Sequence, residues 1–368
     1  MLRALSVFAA LRLAGIAAVI SVNHLAGRPP VRSLSRSWDS KWYLHIAEFG
    51  YGHLSREAAS GLTQTDWAFF PLYPMLIRAV THALPLTVEQ AALLIAWSAA
   101  LAAAYGIYAC AHRVYGSAVA TVLVALWGML PHSVVLTLAY TEALFAALAA
   151  WALYAVLTDR WLTAGVLAAL AGLSRPTGIA VAAAVVVAAA EKVVRRRGPV
   201  SARPWIGALL APAGWAGYVL WVGAQNGDLW HGYTRVQSTW QTRFDFGVQT
   251  LGFLKKLLLH GGRVGYAMAL VIVAAGLLLF LLLCVDRAPL VFLAYAAAMV
   301  ALAVLVSGPF GSKPRFLLPA FPLLIPLARA LEQTWRTRRT QAIVVAGALA
   351  VVSISYGAYV TVLGRQPL

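Results

Sequence analysis

The chain has 368 residues, of which 61% are hydrophobic and only 11% are charged, and its mean hydropathy is +0.78. A soluble domain could not bury so much apolar surface, so this composition excludes the water-soluble classes and predicts a polytopic membrane protein. The net charge of +17 comes from basic residues in short turns between apolar runs. This placement is typical of membrane orientation and predicts no nucleic-acid partner.

The apolar runs are long enough to cross a bilayer as helices, because backbone polar groups in lipid must be satisfied within their own segment. Runs of spanning or nearly spanning length occupy about 6–24, 88–111, 117–131, 138–157, 161–174, 177–194, 205–224, 264–285, 288–307, 314–330 and 341–362. The sequence therefore predicts an all-α polytopic membrane protein. Its single domain, 1–368, would be a bundle of about 11 transmembrane helices with short outer-loop helices.

The basic residues predict the orientation of this bundle. With the N-terminus in the cytoplasm, the most basic turns fall on the cytoplasmic side, as the positive-inside rule requires. These turns contain Arg113, Arg160, the run Lys192–Arg203, Arg287 and the run Arg329–Arg339. Two long loops, residues 25–67 and 225–263, then face the other side. The sequence thus predicts a multi-pass protein of the cell membrane whose site faces the extracytoplasmic side.

Residues 68–84 do not fit this alternation of sides. They are apolar enough to enter the membrane, but a full span here would reverse every later helix and place the basic positions 195–197 outside. Pro71 and Pro74 interrupt helical hydrogen bonding. We therefore interpret 68–84 as a re-entrant or interfacial helix that these two prolines break.

The first outer loop carries an acid at the start of a short aromatic helix. Residues Ser37–Tyr51 read SWDSKWYLHIAEFGY, and Ser37 or Asp39 can cap a helix that ends near Gly50. The helix dipole keeps an acid at this end ionised, and an ionised carboxylate can remove a proton from a hydroxyl. Asp39 is therefore either a catalytic base or only a helix cap, and its position alone leaves both interpretations open.

The same helix is amphipathic. Its apolar stripe comprises Trp38, Trp42, Ile46 and Phe49, and its polar stripe comprises Lys41, His45 and Glu48. This pattern predicts a helix that lies flat at the membrane surface, with its tryptophans at the level of the lipid headgroups.

Further charged residues stand near the outer ends of apolar segments. Glu142 is costly at membrane depth, so it has either a function or an ion-pair partner such as a nearby arginine. Arg175, Lys313 and Arg315 run against the orientation rule, and arginine makes bidentate contacts to phosphate. These cations predict a site for a lipid phosphate, unless they only snorkel to headgroups.

The sequence lacks the motifs of enzymes that use nucleotides. It contains no glycine-rich nucleotide loop, no His/Cys metal cluster and no Asp-x-Asp pair of the type that nucleotide-sugar enzymes use. An enzyme that acts outside the cytoplasm would have no nucleotide sugars to use. It would therefore need a sugar donor carried by a lipid.

Five short blocks occur in order over most of the chain. They are Trp38-Asp39 with Trp42-Tyr43-Leu44, Ile46-Ala47 and Gly50-Tyr51; Phe69-Phe70-Pro71-Leu72-Tyr73-Pro74; Tyr140-Thr141-Glu142-Ala143-Leu144-Phe145; Ser174-Arg175-Pro176-Thr177-Gly178; and Arg315-Phe316-Leu317-Leu318-Pro319. Together they resemble the PIG-V-type mannosyltransferases, membrane glycosyltransferases of the GT-C fold. Eukaryotic members of that family modify glycosylphosphatidylinositol anchors, and this acceptor does not carry over to the present chain.

The resemblance implies a GT-C-like bundle and a polyprenyl- or dolichyl-phosphate-mannose donor. It also implies an inverting transfer outside the cytoplasm, with Asp39 as the base. The acceptor would be a hydroxyl of a lipid, a glycan or a protein, and the sequence does not distinguish among these.

Roles for the other charged candidates follow from this chemistry. Arg175, Lys313 or Arg315 would stabilise the charge that grows on the leaving prenyl phosphate. Asp66 or Glu142 would orient the acceptor or hold a divalent cation such as Mg²⁺ or Mn²⁺. The sequence requires no other cofactor.

Aromatic residues complete the predicted substrate-binding set. Trp38 and Trp42 either stack on sugar rings or anchor their helix in the membrane interface. His45 and Tyr73 are the remaining predicted substrate-binding residues. The loop 225–263 is long and aromatic, and we expect it to help cover the acceptor site.

Other functions are compatible with the composition. The main alternative is a flippase or transporter of lipid-linked sugars; a non-catalytic assembly subunit and a transferase for another sugar, such as arabinose or glucose, are two more. Transporters often contain repeats and place their sites near the bilayer midplane. This sequence shows no repeat, and its charged residues cluster towards the outer face, which favours an enzyme acting at one leaflet.

Overall fold

The computed structural model describes residues 1–56, 61, 63–195 and 201–364, and most of these residues are helical. In this part of the chain the only sheet is a hairpin, in which β1 (Leu54–Arg56) pairs antiparallel with β2 (Thr63–Thr65). The hairpin belongs to the first long loop. The predicted all-α membrane bundle is confirmed.

The N-terminal part ends in the longest helix of the described residues. Its helices are α1 (Leu2–Leu25), α2 (Arg32–Ser35), α3 (Ser40–Phe49), α4 (Leu72–Ala83) and α5 (Val88–Gly128). The predicted span 88–111 and most of the predicted span 117–131 fall within α5. Gly116 separates them, because its φ of 84° and ψ of 173° are not helical and suit glycine.

The middle part alternates longer helices with short ones. Its helices are α6 (Glu142–Leu157), α7 (Trp161–Ser174), α8 (Ile179–Arg195), α9 (Arg203–Leu210), α10 (Ala213–Gln225), α11 (Gly232–Thr239) and α12 (Val248–His260). The second long loop, 225–263, thus contains two helices. Positions 196 and 197, which helped to predict the orientation, lie outside the described residues.

The C-terminal part contains a sharp bend. Its helices are α13 (Val264–Val285), α14 (Leu290–Leu305), α15 (Lys313–Leu317), α16 (Ile325–Thr337) and α17 (Arg339–Ala358). The segments that contain α15 and α16 meet at 78°. Pro319 and Pro322 lie at the bend and have no backbone N–H to donate to a continuous helix. The bend ends the short helix that carries Arg315.

Several helices have the length and composition of membrane spans. Six described helices are long and apolar enough to cross a bilayer, and the bent pair would make a seventh. Three further apolar helices, α6, α7 and α14, are shorter. The chain is thus a multi-pass membrane protein. The count of about 11 spans stays a prediction.

Of the two breaks predicted within 68–84, the one at Pro74 is wrong, whereas residues 69–71 are not helical. Helix α4 begins at Leu72, directly after Pro71, and Pro74 lies in its first turn, where a backbone N–H has no intrahelical partner. The helix is therefore continuous over 12 residues. It packs on α3 and on α5, and whether it is re-entrant or interfacial stays a prediction.

Small residues let the helices approach closely. A Cβ atom on Gly165 of α7 would lie 2.6 Å from the backbone oxygen of Gly207 in α9, and one on Gly207 would lie 2.4 Å from that of Trp161. Close backbone approach of this kind replaces the hydrophobic driving force that is absent between helices in lipid. It packs α9 closely on α7, the helix that ends directly before Arg175.

Candidate active site

The first loop presents Asp39 by an unusual backbone conformation. Helix α3 ends at Phe49 before Gly50, as predicted, and begins directly after Asp39. Within the described residues the Asp39 side chain caps no helix N–H. Trp38 has a φ of 39°, a left-handed conformation that a bulky side chain rarely adopts. This turn directs the carboxylate away from its own helix.

The predicted apolar stripe of α3 is not a single face. Ile46 is fully buried, whereas Trp38 and Phe49 are 41% and 68% exposed. The buried face contains Tyr43 and Ala47 instead. This helix therefore packs inward on α4 and α5, and it is not held only by lipid contacts along its tryptophans.

The Asp39 carboxylate reaches a cluster of charges from four parts of the chain. Arg315 Nη1 lies 2.6 Å from Asp39 Oδ2, and Arg315 Nε lies 3.7 Å from Glu142 Oε1. Glu142 forms a second ion pair with Arg175, which also donates to Thr141 Oγ1 at 3.3 Å. The structure thus brings together four of the predicted site residues, Asp39, Glu142, Arg175 and Arg315.

The cluster is buried and electrically balanced. The side chains of Glu142, Arg175 and Arg315 are 1%, 8% and 10% exposed, and that of Asp39 is 23% exposed. Buried charges are tolerated when each one is paired, and here two carboxylates face two guanidinium groups. Asp39 is the most exposed of the four, so a substrate would meet the cluster at this carboxylate.

Two aromatic rings frame the guanidinium groups. Arg315 Cζ lies 5.5 Å from the ring centre of Tyr140 and 5.3 Å from that of Phe316, and Arg175 Cζ lies 5.6 Å from the Phe316 ring. Cation–π contacts of this kind hold a planar guanidinium without using its N–H groups. The N–H groups instead face the carboxylates of Asp39 and Glu142.

Buried polar atoms of the cluster lack hydrogen bonds. Among the described residues, Glu142 Oε1, Tyr140 Oη and Arg315 Nε and Nη1 have no hydrogen-bond partner, although Arg315 forms its ion pairs. Buried polar groups in native proteins are nearly always satisfied, so a concentration of exceptions is characteristic of a functional site.

Tyr43 and Thr141 contact each other close to the charge cluster. Tyr43 lies one helical turn after Asp39, and Thr141 directly precedes Glu142. The Tyr43 hydroxyl lies 3.3 Å from Thr141 Oγ1. Burial raises the pKa of Tyr43, so its phenol stays protonated. The sequence analysis assigned neither residue a role. The i, i+4 spacing from Asp39 and the adjacency to Glu142 were the signals that could have found them.

His132 is a further group that the sequence analysis did not assign. Its side chain is buried between α5 and α6, and its ring lies 5.3 Å from that of Tyr356. Burial, and secondarily the positive charge of Arg315, lowers the pKa of His132 to about 4. A neutral imidazole is therefore the form that packs near Arg315.

Lys313 and Asp66 lie outside the cluster and have other partners. Lys313 Nζ donates to Ala303 O at 2.6 Å, Val306 O at 2.9 Å and Thr250 Oγ1 at 2.9 Å. These bonds use all three protons of the ammonium group. The lysine ties α12 and α14 to α15, and it offers no free proton to a phosphate.

Both Asp66 oxygens are likewise engaged. They share the single backbone N–H of Gly52, at 3.1 Å from Oδ1 and 3.0 Å from Oδ2, and Oδ2 also accepts from the backbone N–H of His53 at 2.9 Å. The side chain is fully buried. Asp66 therefore fixes the chain where it enters the hairpin.

The aromatic candidates form a wall beside the cluster. Trp42 stacks on Phe69, with ring centres 5.5 Å apart, and meets the edge of Trp240 at 5.2 Å. His45 lies 4.2 Å from His53, and Tyr73 donates to Ala92 O at 2.9 Å. These contacts are within the protein, so of the four candidates only the exposed Trp38 presents a large free surface.

The second long loop reaches this wall. Trp240, between α11 and α12, packs on Trp42 and Phe69, and its Nε1 donates to Thr65 O at 3.1 Å. Tyr218 of α10 donates to Phe69 O at 2.7 Å. The loop 225–263 is thus attached to the first loop.

The residues here do not fit a resident divalent cation. Among the described residues, no group of three or more His, Cys, Asp or Glu side chains could hold a metal ion. Arg315 lies against both Asp39 and Glu142, and its charge opposes a cation there. Both carboxylate oxygens of Asp66 already accept hydrogen bonds from backbone N–H groups.

Arg78 supports α3 from α4. Its Nε donates to Ala47 O at 2.8 Å, which satisfies a carbonyl of the last turn of α3. The contact fixes the end of the helix whose start carries Asp39. In the sequence, the position of Arg78 as a lone arginine in the apolar segment 68–84 could have indicated this supporting role.

Solved structures of the Archaeoglobus fulgidus oligosaccharyltransferase have a similar fold. The apo form aligns over 99% of this chain and 56% of that chain, with 12% identity and a TM-score of 0.58. Two other forms, one tethered to an acceptor peptide with an NVT sequon and one in complex with an inhibitory peptide and a dolichol-phosphate, each align over the same shares at 13% identity and a TM-score of 0.54.

These comparisons show the fold. No protein-family model and no curated protein matches the sequence. The chain spans 56% of the length of the solved chains that it resembles. It has the GT-C fold of membrane glycosyltransferases, as predicted.

Proposed function

We propose that this chain is a glycosyltransferase that moves mannose from a polyprenyl-phosphate donor to an acceptor hydroxyl, with inversion, on the extracytoplasmic side of the membrane. The observation that carries the proposal is the contact between Asp39 and Arg315, 2.6 Å apart at the accessible edge of a buried charge cluster. A carboxylate next to a guanidinium supports the assignment of a base beside a cation that binds the donor phosphate.

Asp39 is the base of this reaction. It is the most exposed carboxylate of the cluster and caps no helix N–H in the described part of the chain, so it is available to an acceptor hydroxyl. Glu142 is buried between two arginines and cannot reach an acceptor. Its role is to hold Arg175 and Arg315 in place.

Arg315 binds the donor phosphate. Its Nη1 pairs with Asp39, which a donor phosphate would replace, and its ring contacts use no N–H group. Arg175 lies behind it and adds positive charge. Lys313, a predicted alternative, has its three protons engaged elsewhere.

The bond changes of the transfer balance without a further reactant. The acceptor oxygen gives its proton to Asp39 and forms a bond to the anomeric carbon of the sugar. The bond from that carbon to the phosphate oxygen breaks, and its electron pair leaves with the prenyl phosphate. Arg315 stabilises the charge that grows on this leaving group. A single displacement inverts the anomeric carbon.

The ion pair with Arg315 restrains the Asp39 carboxylate. A carboxylate paired with a guanidinium is a poor base, because the pair stabilises its ionised form. A donor phosphate would compete with Asp39 for Arg315 and so release the carboxylate. In this scheme the base becomes active only after the donor has bound.

The solved relatives support a lipid-linked donor. One of them is in complex with a dolichol-phosphate, and another is tethered to an acceptor peptide. The proposal for mannose comes from the five PIG-V-like blocks, which include Asp39, Glu142, Arg175 and Arg315. The extracytoplasmic side and the cytoplasmic N-terminus follow from the basic turns. The contact of Trp240 with Trp42 supports a covering role for the loop 225–263.

Transfer in membranes tests the proposal. Membranes that contain wild type or Asp39→Asn, at matched expression, would receive polyprenyl-phosphate-mannose and supply their own lipids and proteins as acceptors. We expect transfer by the wild type and its loss in the variant. Equal transfer by both would remove Asp39 as the base.

The same transfer reaction, run with purified protein in detergent, separates the enzyme from a flippase. Purified protein in detergent has no second compartment, so a flippase would show no reaction there. Failure of the wild type to transfer mannose, with transfer of arabinose or glucose from the corresponding donor, would keep the reaction class and change the sugar.

A further inference from the structure

Tyr140 is a buried tyrosine whose hydroxyl donates no hydrogen bond in the described part of the chain, although the backbone of Asp39 lies near it. Its side chain is 1% exposed. In the sequence it directly precedes Thr141 and Glu142. Leaving such a group unsatisfied destabilises the folded protein. Phenylalanine would fill the same space without this cost.

The charges around Tyr140 are those of the candidate active site. Arg315 Cζ lies 5.5 Å from its ring centre, and Asp39 and Glu142 are the other charged groups that surround the side chain. Arg315 Nε and Nη1 also lack hydrogen bonds within the described residues. The phenol of Tyr140 and the guanidinium of Arg315, which is paired with Asp39, therefore face the same small region.

This region has no net positive charge to stabilise a departing phosphate. The four charges of the cluster cancel, so an added phosphodiester makes the site negative, and the charge grows as the bond to the sugar breaks. A neutral hydrogen-bond donor stabilises that growing charge without altering the pairing of the four ionised residues.

We infer that the Tyr140 hydroxyl donates a hydrogen bond to the phosphate of the prenyl-phosphate donor, beside Arg315. This inference rests on the proposed function. When the phosphate displaces Asp39 from Arg315, it meets the hydroxyl, which then gains its missing partner. Tyr140 is thereby a catalytic residue, and its bond is strongest to the departing prenyl phosphate.

The chain contains a matched control at Tyr115. Its buried hydroxyl also has no hydrogen-bond partner among the described residues, and Arg329 Cζ lies 6.0 Å from its ring centre. Arg329 is paired with Asp286 at 2.8 Å, just as Arg315 is paired with Asp39. Tyr115 belongs to α5 and takes no part in the candidate active site.

The test measures binding of farnesyl phosphate to purified wild type, Tyr140→Phe and Tyr115→Phe by titration calorimetry. A hydrogen bond to a charged group predicts about 10-fold weaker binding by Tyr140→Phe, with binding by Tyr115→Phe unchanged. In the transfer assay Tyr140→Phe should lower kcat more than it raises KM for the donor. A structural hydroxyl would change neither value.

Each other outcome overturns a distinct statement. If wild type and Tyr140→Phe bind equally, the hydroxyl meets only water and the inference is wrong, while the proposed function stands. If the wild type does not bind farnesyl phosphate, the phosphate site and the proposed donor are both wrong. If Tyr140→Phe does not fold, 3,5-difluorotyrosine at position 140 keeps the shape and is more acidic. It should bind more tightly, and unchanged binding would reject the inference.

Discussion

Arg315 Nη1 lies 2.6 Å from Asp39 Oδ2, although Asp39 follows the first long helix and Arg315 lies next to the bend between α15 and α16. The contact closes the candidate site across almost the whole chain. It also means that the stability of the bundle and the chemistry of the site depend on the same ion pair.

Replacing Arg315 should destabilise the protein far more than replacing Arg329. Arg315→Met leaves Asp39 and Glu142 without their shared cation, and removal of one partner from a buried pair costs about 3–5 kcal/mol. Arg329→Met breaks a pair that is largely open to solvent and should cost about 1 kcal/mol or less. Thermal unfolding in detergent compares the two variants, and equal losses would contradict the burial argument.

The donor should bind before the acceptor. Because Arg315 restrains Asp39 until a phosphate arrives, an acceptor finds no active base in the free enzyme. An acceptor whose reactive hydroxyl is methylated should therefore inhibit uncompetitively with respect to the lipid-linked donor. Initial-rate kinetics with the acceptor found in the transfer assay would check this, and a mixed pattern would indicate random binding.

His132 should make the protein sensitive to acid. Its pKa is about 4 when folded and near its ordinary value of about 6.5 when unfolded, so the unfolded chain takes up the proton first. The stability that the neutral imidazole contributes is present above about pH 6.5. It is lost as the pH falls from there towards about 4, by about 3 kcal/mol in total.

Variants of His132 check this dependence. The melting temperature of His132→Gln should vary less between pH 7 and pH 4 than that of the wild type. His82→Gln, at an exposed position of α4, is the control and should follow the wild type. Parallel curves for all three proteins would show that other groups cause the acid sensitivity.

Lys313 should matter for stability and not for phosphate. Lys313→Met leaves the carbonyls of Ala303 and Val306 without their donor, at a cost of about 2 kcal/mol. Its affinity for farnesyl phosphate should stay that of the wild type. Arg315→Lys, which alters the proposed phosphate-binding residue, should bind farnesyl phosphate more weakly. An equal loss of affinity in Lys313→Met would show that Lys313 also binds the phosphate.

Local patterns in the sequence predicted most of the bundle. Helix α13 covers the predicted run 264–285, because hydropathy in lipid depends on consecutive residues. The ion pair that Glu142 needed was predicted as one of its two possible explanations, since an acid at membrane depth requires a partner or a task. Arg175 provides it.

Features that depend on distant contacts could not be predicted in this way. Nothing near Lys313 distinguishes it from Arg315 in sequence, and only packing shows that one donates to Ala303 while the other faces Asp39. The left-handed backbone of Trp38 is likewise invisible to residue patterns. Such strain persists only because the surrounding fold holds it.

The neutrality of the charge cluster bears on how the enzyme would let go of its product. Under the proposed reaction the donor arrives as a phosphodiester with one negative charge, whereas prenyl phosphate departs as a monoester with a charge of about −2. The proton left on Asp39 at first offsets this difference. Once that proton escapes to water, Asp39 regains its charge, repels the phosphate and competes again for Arg315, so the same contact that restrains the resting site would expel the spent carrier.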